Sequence, residues 1–330
     1  MTKKENIMIN NAYSTIFALN ALTQGKIIHV KPYSGRDSRD GKTADTAVKT
    51  LTKALAKATA NKNDIVLLYY EGNAASATTD YQPVALDWNK DNVHLIGVGA
   101  GSFIGQRARI AALSTSLAID DLFTVSANNC LIRGIEIFFG VAGATSAVTR
   151  AMVVSGMRNR IEGCQISGIG HLDQDDSAAC SLGITGSENY FLNDYIGLDT
   201  ILRTNSLSEI VLANTTTSHT RTIFENCIVN SVAASASTTR KAITIDAGSA
   251  HTATWLKNCM LCTETNRTGS TAAQTGAILH NAAGNVFMLG GGVFGYVDVS
   301  TLANAAIFML THYGLSTNTN FPGIAQGIAP

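Results

Sequence analysis

The sequence predicts an all-β protein, a parallel β-helix in which short strands from successive turns stack into sheets. Three observations indicate this fold. A short apolar pattern around a Gly or Asn recurs about every 30 residues, and a second short apolar segment precedes each copy. The intervening stretches lack the amphipathic helix of about 10 to 15 residues that a βα repeat needs. We therefore expect one elongated solenoid domain.

The Gly or Asn position of the pattern recurs at Gly134, Gly163, Asn193, Asn226 and Asn258, with spacings of 29, 30, 33 and 32 residues. A sharp bend between two strands often needs a residue with positive φ, a conformation that costs Gly nothing and Asn little. The spacing predicts that these residues form a single column along the solenoid. The asparagine side chains are expected to stack and hydrogen-bond between turns.

A second family of short strands comes before these copies. Its members include Phe123–Val125, Met152–Val154, Leu182–Ile184, Ile210–Leu212 and Ile243–Ile245. Each is separated from the following copy by a small polar turn, which predicts at least two strands in every turn of the solenoid. The stretches after the copies are expected to be loops on one face.

Six cysteines in 330 residues are too few for a disulfide framework, so we expect reduced thiols. Cys164, Cys227 and Cys259 follow the Gly or Asn column directly and are predicted to stack inside neighbouring turns as small buried side chains. A metal or redox role is the alternative. Cys259 and Cys262 form a lone C-x-x-C, but their odd spacing turns them to opposite faces of a strand, where they cannot share a metal.

The open ends of a solenoid need cover, because unpaired strands promote aggregation. The predicted parts are an N-terminal arm (1–25), a single β-helix domain (26–300) and a C-terminal extension (301–330). An amphipathic helix over about 47–60 is predicted to cap the first turn, with Asp45 or Thr46 as its N-cap.

The charge balance excludes several classes of partner. The chain has 24 basic and 24 acidic residues, so no global attraction to nucleic acid or to anionic membranes is expected. We find no secretion signal and no apolar run long enough to span a bilayer, which predicts synthesis in a cytoplasm-like compartment. Only four charged residues lie between His251 and Pro330. That apolar segment is expected to be buried in a homo-oligomer, with a trimer as the expected symmetry.

Two sets of residues are candidates for chemistry. The first is a loop that could hold a divalent cation or supply an acid and a base: His171, Asp173, Asp175 and Asp176. The second is a set of carboxylates that could include a glycosidase pair: Asp120, Asp121, Asp194, Asp199, Glu225 and Asp246. The loop matches no complete ligand template, and sequence spacing does not establish the distance between two carboxylates. A solvated loop is therefore favoured. A β-helix with 24 acidic residues brings some pair of carboxylates close by chance, so no catalytic, metal-binding or cofactor-binding residue is assigned.

Glycines at 97, 99 and 101 are similar to a nucleotide-binding turn. No amphipathic helix follows them, and Ser102 stands where the fingerprint has its last glycine. A turn between strands is the preferred interpretation, so no cofactor is expected.

The N-terminal part of the chain resembles the entry module of pectate-lyase-like right-handed parallel β-helices. The resemblance rests on Val30–Lys42, Lys49–Leu51, Ala54–Leu55 and Asp64–Leu68, and with the later copies it spans about residues 26 to 300. Within that superfamily, Asp87–Val98 resembles structural β-helix proteins of tailed bacteriophages. The resemblance implies a right-handed coil and a role in a virion.

No match is found to the clustered acidic and basic catalytic residues of pectate lyases or polygalacturonases. The resemblance therefore implies a non-enzymatic capsid decoration or cement protein, made in the host cytoplasm and bound in the virion as a homotrimer to partners such as the major capsid protein. The alternative is a tail spike or fibre that binds or cleaves host-surface polysaccharide. A β-helix assembly module from a non-viral source is a third possibility.

Overall fold

Alternation of apolar residues directs every second side chain of the short strands into the molecule. In β7, for example, Phe123 and Val125 are fully buried, while Thr124 between them is partly exposed. The computed structural model is accordingly a parallel β-solenoid in which three sheets, named A, B and C here, surround one continuous apolar core. The structure describes residues 25–71, 81–82, 85–99, 108–112, 118–143, 148–203, 208–213, 221–233, 241–246, 250–263, 274–280, 283–300 and 306–310.

All strand pairs are parallel and join neighbouring turns. Sheet A contains β1 Ile27–Val30, β2 Ile65–Tyr69, β5 His94–Val98, β8 Leu131–Arg133, β11 Arg160–Glu162, β14 Tyr190–Leu192, β17 Thr222–Glu225, β20 Ala250–Lys257, β23 Ala283–Leu289 and β26 Ala306–Leu310. Sheet B contains β3 Tyr81–Gln82, β6 Ala108–Ala112, β9 Ile135–Phe138, β12 Gln165–Ser167, β15 Tyr195–Arg203, β18 Ile228–Ala233, β21 Met260–Cys262 and β24 Gly292–Phe294. Sheet C contains β4 Leu86–Trp88, β7 Asp121–Val125, β10 Arg150–Val154, β13 Cys180–Ile184, β16 Ser208–Leu212, β19 Lys241–Ile245, β22 Gln274–His280 and β25 Tyr296–Ser300.

The predicted column of bends is confirmed at the corner between sheets A and B. Gly134, Gly163, Asn193, Asn226 and Asn258 have φ values of 64°, 60°, 56°, 53° and 51°. The backbone N–H of each donates to the carbonyl oxygen just before the equivalent bend in the next turn, at distances from 2.8 to 2.9 Å. One left-handed residue per turn therefore sets the corner.

An asparagine ladder that the sequence analysis did not predict lies at the corner between sheets C and A, whereas the stacking of Asn193, Asn226 and Asn258 side chains stays a prediction. The side chain of Asn159 accepts a hydrogen bond from the Cys130 N–H at 2.8 Å, and the side chain of Asn189 accepts one from the Asn159 N–H at 2.9 Å. Each amide group also donates to a carbonyl of the preceding turn, at Ala127 and Gly156. These two asparagines are buried, so their side chains satisfy backbone groups that water does not reach.

The positive φ at the corner gives a stability prediction. Replacing the exposed Asn226 by Val should lower the free energy of unfolding by about 1–2 kcal/mol, because a β-branched residue is strained in the left-handed region. Asn226→Gly should cost far less. Urea denaturation measures both, with Asn285→Val as the control, since Asn285 lies in β23 without a positive φ. Equal losses at positions 226 and 285 would contradict the strained corner.

The predicted stacking of cysteines is confirmed for Cys227 and Cys259, which lie in neighbouring turns and contact each other. Cys164, Cys227 and Cys259 are at most 1% exposed, and all six cysteines are free thiols. Asp194 interrupts their column: it is fully buried, and its carboxylate accepts a hydrogen bond from the Cys164 N–H at 2.7 Å. A hydrogen bond with Cys259 and burial raise the pKa of the Cys227 thiol well above its ordinary value. A raised pKa keeps this thiol protonated and unreactive.

Helix α1 spans Leu51–Lys57, a shorter range than the predicted 47–60. Its N-cap is Thr50, not Asp45 or Thr46, and the Thr50 side chain accepts from the Lys53 N–H at 3.1 Å. The helix begins late because the Asp37 carboxylate binds the backbone N–H groups of residues 49 and 50, both at 2.9 Å. The capping role of the helix and the right-handed sense of the coil stay predictions. None of the helices described here has the length and apolar character to cross a membrane.

Candidate functional site

The His171 loop is built from internal hydrogen bonds. A 3₁₀ helix spans Leu172–Gln174; His171 precedes it and accepts a hydrogen bond from the Asp173 N–H at 3.2 Å. The Asp173 carboxylate binds the Gly143 N–H, and Asp176 binds the Ser177 hydroxyl at 3.1 Å. Asp175 is 5% exposed, so the loop is less solvated than predicted. Within the described ranges, no group of three or more metal-ligating side chains is arranged to hold an ion.

The candidate carboxylates do not come together, because the solenoid distributes them over different walls. Asp194 lies in the core, Asp199 is exposed on β15, and Glu225 on sheet A accepts from the Tyr190 hydroxyl at 2.8 Å. Asp246 follows β19, where burial raises the pKa of its carboxyl. Asp120 and Asp121 lie near Arg150 of sheet C, and the Asp121 carboxylate binds the Arg150 guanidinium.

A column of polar residues begins the strands of sheet C. In the strand register, Asp121 pairs with Arg150, and Arg150 pairs with Cys180. Cys180 lies next to Ser208, because each stands two residues before the paired Leu182 and Ile210. Ser208 in turn pairs with Lys241. We call Asp121, Arg150, Cys180, Ser208 and Lys241 the ionic column. With strands about 4.8 Å apart, the column spans roughly 19 Å along the solenoid axis.

The exposed end of the ionic column is an ion pair. Arg150 Nε lies 2.6 Å from Asp121 Oδ1, and Arg150 Nη2 lies 3.0 Å from Oδ2, which is the planar two-bond geometry of an arginine and a carboxylate. The two side chains keep 26% and 25% of their surface exposed. A small solute can therefore reach a carboxylate that is already held in a fixed orientation.

A second ion pair lies behind the column and is buried. The Arg203 guanidinium binds Glu209, and these side chains are 1% and 0% exposed. The Ser181 hydroxyl donates to Glu209 Oε2 at 2.6 Å, while Arg203 Nη2 donates to the Gly168 carbonyl at 3.4 Å. These contacts join β13 and β16 of sheet C to the last residue of β15 in sheet B.

Cys180 lies between the two ion pairs, and the charged side chains of both pairs act electrostatically on its thiol. Burial raises the pKa of its thiol to about 12, so the thiol stays protonated. Arg150 also packs closely on Gly183, where a Cβ would lie 3.1 Å from Arg150 Cδ. Strand β13 therefore packs against Arg150, and its protonated Cys180 thiol does not act as a nucleophile.

Lys241 ends the ionic column and is only 1% exposed. Burial lowers the pKa of its ammonium group from 10.5 to about 8. The unfolded chain therefore binds more protons between pH 8 and pH 10.5, and stability should rise with pH across that window. Below pH 8 the full cost of the buried charge is present.

Replacing Lys241 by Met should remove this pH dependence and stabilise the protein by about 1–3 kcal/mol below the folded-state pKa. Urea denaturation at pH values on either side of the window measures the free energy of unfolding of the variant and the wild type. Subtracting one from the other at each pH removes the contribution of the other titrating groups, which the two proteins share. Lys257→Met is the control, because Lys257 is 40% exposed beside Glu225. If both variants change the pH profile alike, burial of Lys241 is not the cause.

Sequence reasoning singled out Asp121 but missed Arg150, Arg203, Glu209 and Lys241. The sequence did contain a signal, because each residue of the ionic column precedes the first residue of one predicted strand of the second family by two positions. Aligning those strands would have placed Asp121, Arg150 and Lys241 in one register. The Arg203–Glu209 pair had no such signal, because its partners lie on different sheets.

Comparisons with known proteins support the fold. No family model and no curated protein matches the chain. A pectin methylesterase variant solved in complex with a hexasaccharide matches at 13% identity over 90% of this chain and 92% of its own, with a TM-score of 0.53. Pectin methylesterase PemA from Erwinia chrysanthemi matches at 13% identity over the same shares, with a TM-score of 0.52.

The expectation of a non-enzymatic protein is contradicted, because the solved structures that match nine-tenths of the chain are enzymes. That expectation depended on the lack of known catalytic motifs, and such motifs do not show how successive turns bring ionisable residues together. An identity of 13% establishes the fold and leaves the substrate open. The chain therefore has a parallel β-solenoid fold similar to that of these two pectin methylesterase structures.

Proposed function

We propose that the protein is a polysaccharide-active enzyme that works at the ionic column of sheet C. The observation that carries the proposal is the Asp121–Arg150 pair, which is oriented by two hydrogen bonds and still a quarter exposed. This pair is the accessible end of the column, because Cys180, Ser208 and Lys241 are at most 2% exposed. A polymer crossing this end of the column would contact Asp121 and Arg150 in two neighbouring turns.

Asp121 is the acid or base of this proposal. A positioned carboxylate can transfer a proton to or from a reacting hydroxyl, water or carbon. Arg150 fixes its orientation and can turn its charge toward an acidic group or a developing oxyanion on the sugar. Glu209 is held by Arg203 and Ser181 away from solvent, so its role is to support β13 and not to touch the substrate.

The test is incubation with defined polymers: methyl-esterified pectin, de-esterified pectin and a purified bacterial capsular polysaccharide. Release of acid reports ester hydrolysis, reducing ends report hydrolysis of the glycosidic bond, and ultraviolet absorbance reports an unsaturated product of elimination. Asp121→Asn should lower the observed rate by about 10²- to 10⁴-fold, because it removes acid and base chemistry while keeping the shape of the side chain.

Glu188→Gln is the matched control for this substitution. Glu188 also binds two arginines, Arg158 and Arg221, but at an exposed turn outside the ionic column. Its variant should keep the wild-type rate. The proposal fails if no polymer is changed by the wild-type protein, or if Asp121→Asn is as active as the control.

We also propose the tail spike or fibre considered from the sequence as the biological setting. The sequence resemblance of Asp87–Val98 to phage structural proteins supports it, as does a site suited to a surface polysaccharide. The same proposal includes a homotrimer bound to other virion proteins, a right-handed coil, and α1 as the cap of the first turn. Electron microscopy of labelled particles tests the setting: label on the tail supports it, and label on the capsid shell contradicts it.

A further inference from the structure

The segment around β1 and α1 carries an excess of positive charge. Residues 26–64 contain nine basic and four acidic side chains, an excess of five, although the whole chain has a formal charge of zero. Six of the basic side chains are exposed or partly exposed, and we call them the basic end: Arg36, Arg39, Lys42, Lys49, Lys53 and Lys57. One region of an otherwise neutral molecule therefore attracts anionic groups.

Hydrogen bonds bring the parts of the basic end together at the free edge of sheet A. β1 is the first strand in the order of that sheet. The chain after β1 returns to this edge, where the Val48 N–H donates to the His29 carbonyl and the Lys31 N–H donates to the Val48 carbonyl, both at 2.9 Å. The Asp37 carboxylate of the same loop accepts from the hydroxyl of Thr50, the N-cap of α1, at 2.9 Å. The loop and α1 therefore present one continuous surface.

The cations of the basic end have no anionic partner within the described ranges. Every described arginine from residue 109 onward forms an ion pair with a carboxylate of the same chain: Arg109, Arg133, Arg150, Arg158, Arg160, Arg203 and Arg221. No ion pair among the described residues includes a residue before Arg109. The later turns thus neutralise their arginines, whereas the basic end keeps its charge.

The acidic residues near the basic end bind the backbone instead of the cations. Asp37 accepts from the N–H groups of residues 49 and 50, and Asp64 accepts from those of residues 26 and 59, at distances from 2.7 to 2.9 Å. Asp40 accepts from the N–H of residue 42 at 3.1 Å. These carboxylates fix the fold of the loop, so an anion that neutralises the lysines has to come from outside the described chain.

We propose that the basic end docks on an acidic surface of a different protein. Charge complementarity supports this partner, because cations without internal partners attract carboxylates and orient the encounter. Asp40 and Asp45 lie exposed among the cations. They would repel a polymer of uniform negative charge, such as a nucleic acid or a polyuronate. A protein surface can place hydrogen-bond donors opposite these two carboxylates and acidic side chains opposite the lysines.

An exposed aromatic residue beside the basic end supports a protein as the partner. Tyr33 is 71% exposed, yet its backbone is fixed, because the Glu71 carboxylate accepts from the N–H groups of Tyr33 and Ser34 at 2.6 and 3.1 Å. Arg39 Nη1 donates to the Ser34 carbonyl at 3.3 Å, which places the tyrosine next to the basic end. A tyrosine held in this way is a common anchor at the centre of protein interfaces.

A second copy of this chain fits the basic end less well. Its acidic loop after His171 is already engaged: Asp175 is buried, Asp173 binds the Gly143 N–H, and Asp176 binds the Ser177 hydroxyl. The basic end also contains no residue of the ionic column. The docking proposal therefore does not depend on the proposed enzymatic activity, and either one can fail without the other.

Zero-length cross-linking in cells that naturally contain the protein tests the contact. A carbodiimide joins a lysine amine to a carboxylate that touches it. Lys257 is the internal control, because its ammonium group lies 3.7 Å from Glu225 and should give a link within the chain. We expect Lys49 and Lys53 to be linked to Asp or Glu side chains of one other protein. If the control link forms and these two lysines are linked only to acids of this chain, the proposal is wrong.

Binding to defined anions provides the second readout with purified full-length protein. The labelled probes are a helical peptide rich in glutamate that also carries lysines, a single-stranded DNA and an oligogalacturonate, all of equal net charge. We expect the peptide to bind most tightly in fluorescence anisotropy. Replacing both Lys49 and Lys53 by Gln should weaken this binding about three- to tenfold, since it removes two exposed ion pairs with the probe.

The matched control removes the same charge outside the basic end. Arg133→Gln combined with Arg160→Gln changes two arginines that already pair with Glu162, so the affinity for the peptide should stay at the wild-type value. Equal losses in the two double variants would mean that net charge alone governs binding and would overturn the proposal. Tighter binding of the DNA or of the oligogalacturonate than of the peptide would assign the basic end to that polymer and would overturn it as well.

Discussion

Replacing Arg203 by Met should lower the free energy of unfolding by about 3–5 kcal/mol, because it leaves the Glu209 charge buried without its partner. Both side chains are at most 1% exposed, so water cannot compensate. Ser181 supplies only one hydrogen bond to the remaining carboxylate. The substitution also removes the contact between β15 of sheet B and β16 of sheet C near the ionic column. We therefore expect the proposed activity to fall together with the stability.

The double variant Arg203→Met with Glu209→Met distinguishes a stranded charge from lost packing. If the cost arises from the stranded charge, the double variant should be more stable than Arg203→Met alone. Arg158→Met is the exposed control, since Arg158 pairs with Glu188 at 62% side-chain exposure and should cost at most about 1 kcal/mol. Urea denaturation measures all three. If the double variant is less stable than Arg203→Met, lost packing and not the stranded charge of Glu209 causes most of the loss.

The sequence predicted those features of the fold that depend on single residues repeated in every turn. Gly134 and Asn226 occupy equivalent bends because a left-handed conformation limits the choice of residue, and this restriction is visible as a spacing. The buried cysteines follow from the same register. Helix α1 was misplaced at its start because its N-terminus depends on Asp37, whose contact with residues 49 and 50 is not a local pattern.

The candidate site was less predictable because it depends on side chains that meet between turns and between sheets. Asp121 and Arg150 are 29 residues apart, and their contact follows only when the strands of sheet C are aligned. Arg203 and Glu209 are close in sequence, but they meet across a corner between sheets, which no periodicity indicates. The non-enzymatic prediction depended on the lack of known catalytic motifs along the chain, and the enzymes that share the fold contradict it.

The two tryptophans of the chain offer a matched test of the core. Trp88 is fully buried, its Nε1–H donates to the Val93 carbonyl at 2.9 Å, and it meets Phe123 edge to face with ring centroids 6.3 Å apart. Trp88→Ala should therefore cost about 3–5 kcal/mol, since it leaves a large cavity and an unsatisfied carbonyl. Trp88→Phe should recover part of this loss.

Trp255 belongs to a different wall of the solenoid, because β20 lies in sheet A whereas β4, which contains Trp88, lies in sheet C. It is partly exposed on sheet A and stacks on Phe287 with centroids 4.3 Å apart, so Trp255→Ala should cost only about 0.5–1.5 kcal/mol. Urea denaturation followed by circular dichroism measures both variants without depending on the tryptophan signal. A tryptophan in the core and a tryptophan on the outer surface of the solenoid would then differ several-fold in their contribution to stability. Similar losses at the two positions would mean that the core of the solenoid does not contain Trp88.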